Sequence, residues 1–187
     1  MRRKAHAAAA MALAAVCLAA CEPAPDESPA QRLIAAYQMG QEYEWDAARA
    51  YAKAYLQVFP EDASGHFLLG QSYLRIPVPN LTMAEGEIMT AIRLFDAHGQ
   101  VGALEPVLAA PDFEFNLQLE AARTYVRAFR EVLVQGFPVS QNLGLLEMAR
   151  DHVDRGLALQ PDHKYLKEMR AMLAGYLGEP KPLGVTI

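Results

Sequence analysis

Cysteine is almost missing from this chain: two occur among 187 residues, Cys17 and Cys21, both near its start. Beyond position 21 there is none, so no disulfide staples the body and no cysteine-ligated zinc builds it. Three linear signatures of chemistry are missing as well: His-Glu-x-x-His, a glycine-rich phosphate loop and a Gly-x-Ser-x-Gly elbow. After Ala20 no stretch approaches the ~20 apolar residues that crossing a bilayer requires. Positive charge is in deficit, with 17 lysines and arginines against 22 acids and a net charge of −5. Such a chain repels phosphate, which speaks against a nucleic-acid partner. Strand-like alternation is confined to Leu183, Val185 and Ile187 in the tail.

Candidate catalytic groups are equally thin. His66, His98, His152 and His163 are the histidines beyond the first thirty residues. Asp151-His152-x-Asp154 invites a metal reading, yet residues one and two apart do not share a helix face. His152 and Asp151 are therefore expected on a solvated surface, with no metal and no cofactor. A nucleophile needs a partnered base, and no linear pattern supplies one, so an enzyme is not predicted.

What is present is apolar and helical in period. A hydrophobic content of 52% is ample for the core of one domain. Residues 46–74 read as two helices folded on one another. Ala47, Ala48, Ala50, Ala52 and Ala54 alternate with Tyr51, Tyr55, Leu56 and Phe59 until Pro60 closes the first. Residues 61–64 offer polar caps, and Phe67, Leu69, Gly70, Tyr73 and Leu74 follow at helical spacing. A hairpin of this kind cannot bury its apolar face alone, so it predicts neighbours of the same kind.

The run His66-Phe67-Leu68-Leu69-Gly70-Gln71-Ser72-Tyr73 resembles the first-helix half of a tetratricopeptide repeat. Leu69, Gly70 and Tyr73 match that family's pattern, while His66 stands where tryptophan is usual. Ala149-x3-Val153-x2-Gly156-x4-Pro161 is similar to its second-helix half, with valine and glycine replacing the usual aromatic and alanine. Residues 48–60 also fit, although Ala47/Tyr51/Ala54 fits as well one residue out of register. The resemblance implies an all-α fold, an α-solenoid of antiparallel helix hairpins wound as a right-handed superhelix. It would have about seven or eight helices over residues 30–178 and an irregular insert in the middle.

The first twenty residues lie outside that unit. Met1-Arg2-Arg3-Lys4 is a basic start, residues 5–16 are an alanine-rich apolar stretch, and Leu18-Ala19-Ala20 leads into Cys21. Small residues directly before a cysteine resemble the lipobox of bacterial lipoproteins. That resemblance implies cleavage before Cys21, lipidation of its thiol, and placement in the cell envelope. Glu22 in place of aspartate points to the outer membrane, with the body facing the periplasm. One acyl chain anchors only marginally, at about 0.8 kcal/mol per buried methylene, whereas two or three hold permanently. Loss of Arg2, Arg3 and Lys4 would move the net charge from −5 to −8. Residues 21–29, rich in proline and acid, read as a flexible tether.

Further along, Ser28, Pro29 and Gln31 predict a capped first helix ending near residues 40–43. Asn80 or Thr82 is expected to cap a helix carrying Ile88, Ala91, Ile92 and Phe95, which Gly99 stops. Residues 100–111 are apolar but broken by Gly102, Pro106 and Pro111, and read as a short helical insert packed on the repeats. Residues 112–135 form the most regular helix, with the stripe Phe115, Leu119, Ala122, Val126, Phe129 and Leu133. Ser140 is expected to cap the next helix. Asp162 is expected to start the last, with Leu166, Met169, Leu173 and Tyr176 inward and Gly178 as its stop. Residues 179–187 read as a loose tail.

Carried onto the matching repeat, the family's concave groove would be lined by Ser64, Phe67, Gln71, Leu74 and Arg75, facing outward. Ser64, Phe67 and Gln71 depart from the basic pattern that grips chain termini in some members. The resemblance thus implies a groove for an extended segment or amphipathic helix of a protein partner. Tyr43 and Trp45, in the first turn, are candidates for its edge, since aromatics anchor interfaces. The function implied is a lipid-anchored interaction adaptor of an envelope complex. The alternatives are an accessory subunit of one envelope enzyme complex, using residues 97–135 as its interface, and, less supported, an envelope enzyme or small-ligand carrier.

Overall fold

The computed structural model describes residues 27–178. The leader, Cys21, most of the tether and the tail from 179 onward lie outside the described residues. Within them the chain forms seven α-helices and one short 3-10 turn, with no strand. We number the helices α1 (Pro29–Gln41), α2 (Trp45–Leu56), α3 (Ala63–Arg75), α4 (Leu81–His98), α5 (Ala110–Val134), α6 (Leu143–Leu159) and α7 (Lys164–Leu177). Each helix packs chiefly on its neighbours in sequence, and α1 also touches α3 as α3 touches α5.

Caps set most of the boundaries. Ser28 and Gln31 make a reciprocal capping box with Pro29 at the first position of α1. Asn80, rather than Thr82, caps α4 by accepting from the Met83 amide at 3.1 Å. Gly99 and Gly178 end α4 and α7 in the left-handed conformation that glycine adopts at no steric cost. Three expectations near helix starts need correction. Ser140 lies in the 3-10 turn Val139–Gln141, so α6 begins later, at Leu143. The last helix is capped by His163, whose Nδ1 accepts from the Leu166 amide, and not by Asp162. Residues 99–109 form turns rather than a helix, although Val101, Leu104 and Leu108 are buried as an insert requires.

Two apolar cores share α5. Helices α1–α4 and the insert surround Phe113, Leu117 and Ala121 of α5. Helices α6 and α7 surround Phe115, Leu119, Ala122, Val126 and Phe129. Glycines permit the closest backbone approaches: a Cβ on Gly70 would stand 2.6 Å from Ile88 of α4, and one on Gly156 2.7 Å from Leu166 of α7. Tyr176, expected inward, is 48% exposed because it lies at the rim, edge-on to Phe129.

Asp62 pins the insert to the first core. Its carboxylate caps α3 through the amides of Ser64 and Gly65, and accepts from Tyr55 Oη at 2.7 Å and the Ala103 amide at 3.1 Å. Burial, with the hydrogen bond to this carboxylate and then its charge, pushes the Tyr55 phenol up. Gly102, at φ +90°, leaves room for that carboxylate, where any Cβ would collide with it.

His66 bridges three elements. Its Nδ1 donates to Glu87 of α4 at 2.6 Å, and its Nε2 to the Pro60 carbonyl at 2.9 Å. Burial works against the charged ring, but the bonds to Glu87 and Pro60 and the charges of Glu87 and Asp62 outweigh it. The pKa is therefore raised above its ordinary 6.5. A raised folded value means that the stabilisation is complete below 6.5 and disappears as pH climbs through the folded value. Urea midpoints of the chain and of His66→Gln, measured from about pH 5 to about pH 9, should differ most at acid pH and converge above neutrality. A gap that widens with pH contradicts a doubly protonated ring.

Candidate functional site

Because α5 has apolar residues on two sides, its polar residues fall in the two strips between them, and one of these stays open. Glu120, Arg123, Arg127 and Arg130 recur there at steps of three, four and three, which places them along one line of the helix. This strip is the floor of an open trough. One part, about 490 Å³, lies between Tyr43, Trp45, Leu74, Arg75, Glu120 and Arg127. A second, about 790 Å³, runs on from the shared Arg123 and Arg127 past Arg130 and Val134 to Tyr165, Met169 and Met172 of α7, with Val78 at its edge.

Glu120, 1% exposed, organises the first part. Its Oε1 accepts from Arg75 Nη2 at 2.6 Å, Arg123 Nη1 at 2.9 Å and Gln71 Nε2 at 3.3 Å. Glu120 Oε2 and Gln71 Oε1 are buried without a hydrogen-bond partner among the described residues. Each guanidinium also covers a ring, Arg75 over Trp45 at 5.3 Å and Arg123 over Tyr165 at 5.1 Å, where the π face attracts the cation. Tyr37 of α1 faces the same group, and burial together with the Glu120 charge, opposed by Arg75, raises its pKa. Farther on, Arg127 Nη1 donates to the Leu74 carbonyl at 2.7 Å, closing the end of α3. Arg130 is exposed, with no ion pair among the described residues.

The turn before α2 supplies the near wall. Trp45 is buried against Gly40, where an added Cβ would stand 2.7 Å from the indole. Tyr43 beside it is 85% exposed and has φ 71°, the only non-glycine residue with positive φ among those described. The left-handed conformation costs a residue with a Cβ roughly 1–2 kcal/mol.

Of the residues expected to line a groove, Tyr43, Trp45, Leu74 and Arg75 border the trough, and Gln71 sits behind Glu120. Ser64 and Phe67 do not reach it, which corrects the expected orientation of α3. Ser64, Phe67, Gln71 and Leu74 are all at most 4% exposed, since α5 and the insert cover the face that a single hairpin leaves open. Ser64 Oγ accepts from the Leu104 amide, and Phe67 meets Phe113 edge-on at 5.1 Å. His152 is likewise buried rather than solvated. Its Nδ1 donates to Gln118 at 2.8 Å, its ring stacks on Tyr125, and burial lowers its pKa. Sequence reasoning missed Glu120, Arg123, Arg127, Arg130 and Tyr165; the arginine spacing on α5 was the available signal.

Among the described residues no cluster of three or more His, Cys, Asp or Glu side chains is arranged to hold a metal ion. The trough instead offers guanidinium donors, π faces and thioether surface, which suits binding. No family model, curated protein or solved structure matches this chain.

The Glu120 cluster makes a ranked prediction. Replacing Arg75 and Arg123 together with alanine strands a buried carboxyl group and should cost about 3–5 kcal/mol. Glu120→Gln frees two guanidiniums, each about one-third exposed and able to turn to water, and should cost about 1–2 kcal/mol. Urea denaturation gives both values, and the reverse order would contradict the dependence of Glu120 on its cations.

Proposed function

We propose that this chain is a lipid-anchored, tetratricopeptide-like adaptor of a bacterial envelope complex, and that the trough is its protein-binding groove. In this reading residues 30–178 are an α-solenoid of antiparallel hairpins, and alternate helices share the binding face. The observation that carries it is the origin of the trough side chains: Arg75 from α3, Arg123 and Arg127 from α5, and Tyr165 and Met169 from α7, with Tyr37 of α1 near enough to Glu120 and Arg75 to feel their charges. One helix of each successive pair faces the same side, as stacking of hairpins requires. Leu69-Gly70-x-x-Tyr73 and Gly156 support the same reading, because both glycines stand where one helix of a pair presses on the next. The accessory-subunit alternative converges on this surface, since Arg123, Arg127, Arg130 and Val134, all within residues 97–135, line the trough.

The anchor rests on Met1-Arg2-Arg3-Lys4, the apolar stretch behind it and Leu18-Ala19-Ala20-Cys21. No described helix is long and apolar enough to cross a membrane, so attachment in this reading falls to the acyl chains on Cys21, at the outer membrane with the body in the periplasm.

Cells expressing the full chain should incorporate labelled palmitate into it, and Cys21→Ser should abolish the label. Label on the serine variant, or none on the parent, removes the anchor. The groove is tested by crosslinking and pull-down from intact envelopes with Tyr43→Ala and Val134→Glu, at opposite ends of the trough and 85% and 89% exposed. Both should lose partner capture at an unchanged melting temperature, because exposed substitutions typically change stability by about 0.5 kcal/mol or less. Full capture by both excludes the trough.

A further inference from the structure

We propose that the trough receives an acidic segment of the partner protein, its carboxylates on Arg127 and Arg130 and a neighbouring apolar side chain between Val126, Met169 and Met172. This rests on the trough being the binding groove, and it adds the chemistry of the occupant.

Charge is the first observation. The chain as a whole carries −5, yet Arg75 of α3 and Arg123, Arg127 and Arg130 of α5 gather along one trough. Arg75 and Arg123 share the single carboxyl of Glu120. Arg127 meets only a backbone carbonyl, and Arg130 has no ion pair among the described residues. Like charges three and four residues apart on a helix repel one another, so a bound anion would relieve the pairs Arg123–Arg127 and Arg127–Arg130. A planar carboxylate matches the forked donors of a guanidinium in a bidentate pair.

The rest of the lining narrows the anion. Glu131 and Glu168 also border the trough, and they would repel a continuous polyphosphate or a carpet of anionic headgroups. Isolated carboxylates on an extended chain fit between them. Thioether and valine surface beside Arg127 and Arg130 asks for an apolar neighbour to each acid. The two parts of the trough, about 490 and 790 Å³, hold far more than one small anion and suit a segment.

Trp45 is the only tryptophan and walls the trough, so its emission reports occupancy. The full chain in neutral detergent is panned against a randomised dodecapeptide library, and enriched peptides are titrated while Trp45 emission is followed. The expected result is enrichment of peptides pairing Asp or Glu with a large apolar residue. Arg130→Glu should bind them about tenfold more weakly or worse, the scale of one charged hydrogen bond. Arg127→Glu should do the same; Arg130→Glu carries the test if loss of the Leu74 contact unfolds that variant. Neutral or basic peptides that shift Trp45, bind independently of Arg130 and are lost in Val134→Glu overturn the acidic occupant and leave the groove standing. If no peptide is enriched, or none responds to any trough variant, both readings fall. Phosphatidylglycerol added to the micelles should leave Trp45 unchanged; an Arg130-dependent shift would give the row to lipid headgroups and overturn the proposal.

Discussion

Burial of α5 on two opposite sides is the constraint from which the rest of this structure follows. Phe113, Leu117 and Ala121 enter one core, while Phe115, Leu119, Ala122, Val126 and Phe129 enter the other. Each large side chain contributes about 1.5–3 kcal/mol when fully buried, so neither half of the molecule is complete without this 25-residue helix. With two sides taken, polar residues can lie only in the strips between. One strip is closed by Gln118 and His152, which satisfy each other beneath α6. The other stays open and holds Glu120 and the arginines. The site is thus a consequence of how α5 is shared.

The first core faces a different problem, since its insert has turns but no helix to satisfy its backbone. Asp62 answers it by accepting at once from α2, from the start of α3 and from Ala103. A carboxylate met by several donors is stabilised without a countercharge. Gly102 gives it room, and Ser64 accepts from Leu104 on the other side of the knot. Covering α3 in this way turns the expected groove face of that helix into core and moves the open surface toward its C-terminal end, at Arg75.

How much of this was legible depends on the range of the interaction. Local devices read correctly: Ser28 with Gln31, Asn80, Gly99 and Gly178 act within one turn of their own positions. So did the stripe from Phe115 to Phe129, because a periodicity of three and four is written in the chain. The parallel stripe through Phe113, Leu117 and Ala121 was hidden by its neighbour, since two interleaved apolar faces blur into one hydrophobic helix. Burial of Ser64, Gln71 and His152 depends on partners 34 to 49 residues away in sequence, and no spacing rule reports these. Of the site, the aromatic turn and Arg75 were visible from the sequence. The arginine row was not, because its meaning depends on which side of α5 remains open.

Stability alone does not account for that row. A polar strip needed only for solubility would alternate signs, as Glu–Lys pairs four apart do on isolated helices. Here one carboxyl serves two guanidiniums, and among the described residues Arg127 and Arg130 follow with no ion pair, although Glu131 stands four residues beyond Arg127. Tyr43 adds to the cost, holding an unfavourable backbone conformation while exposing its ring at the same opening. A glycine would end α1 without strain, as Gly99 and Gly178 end their helices. Two independent departures from the most stable choice, one electrostatic and one steric, meet at one trough. Departures of that kind persist where a bound state compensates them, and the proposed occupant of the trough would be such a state.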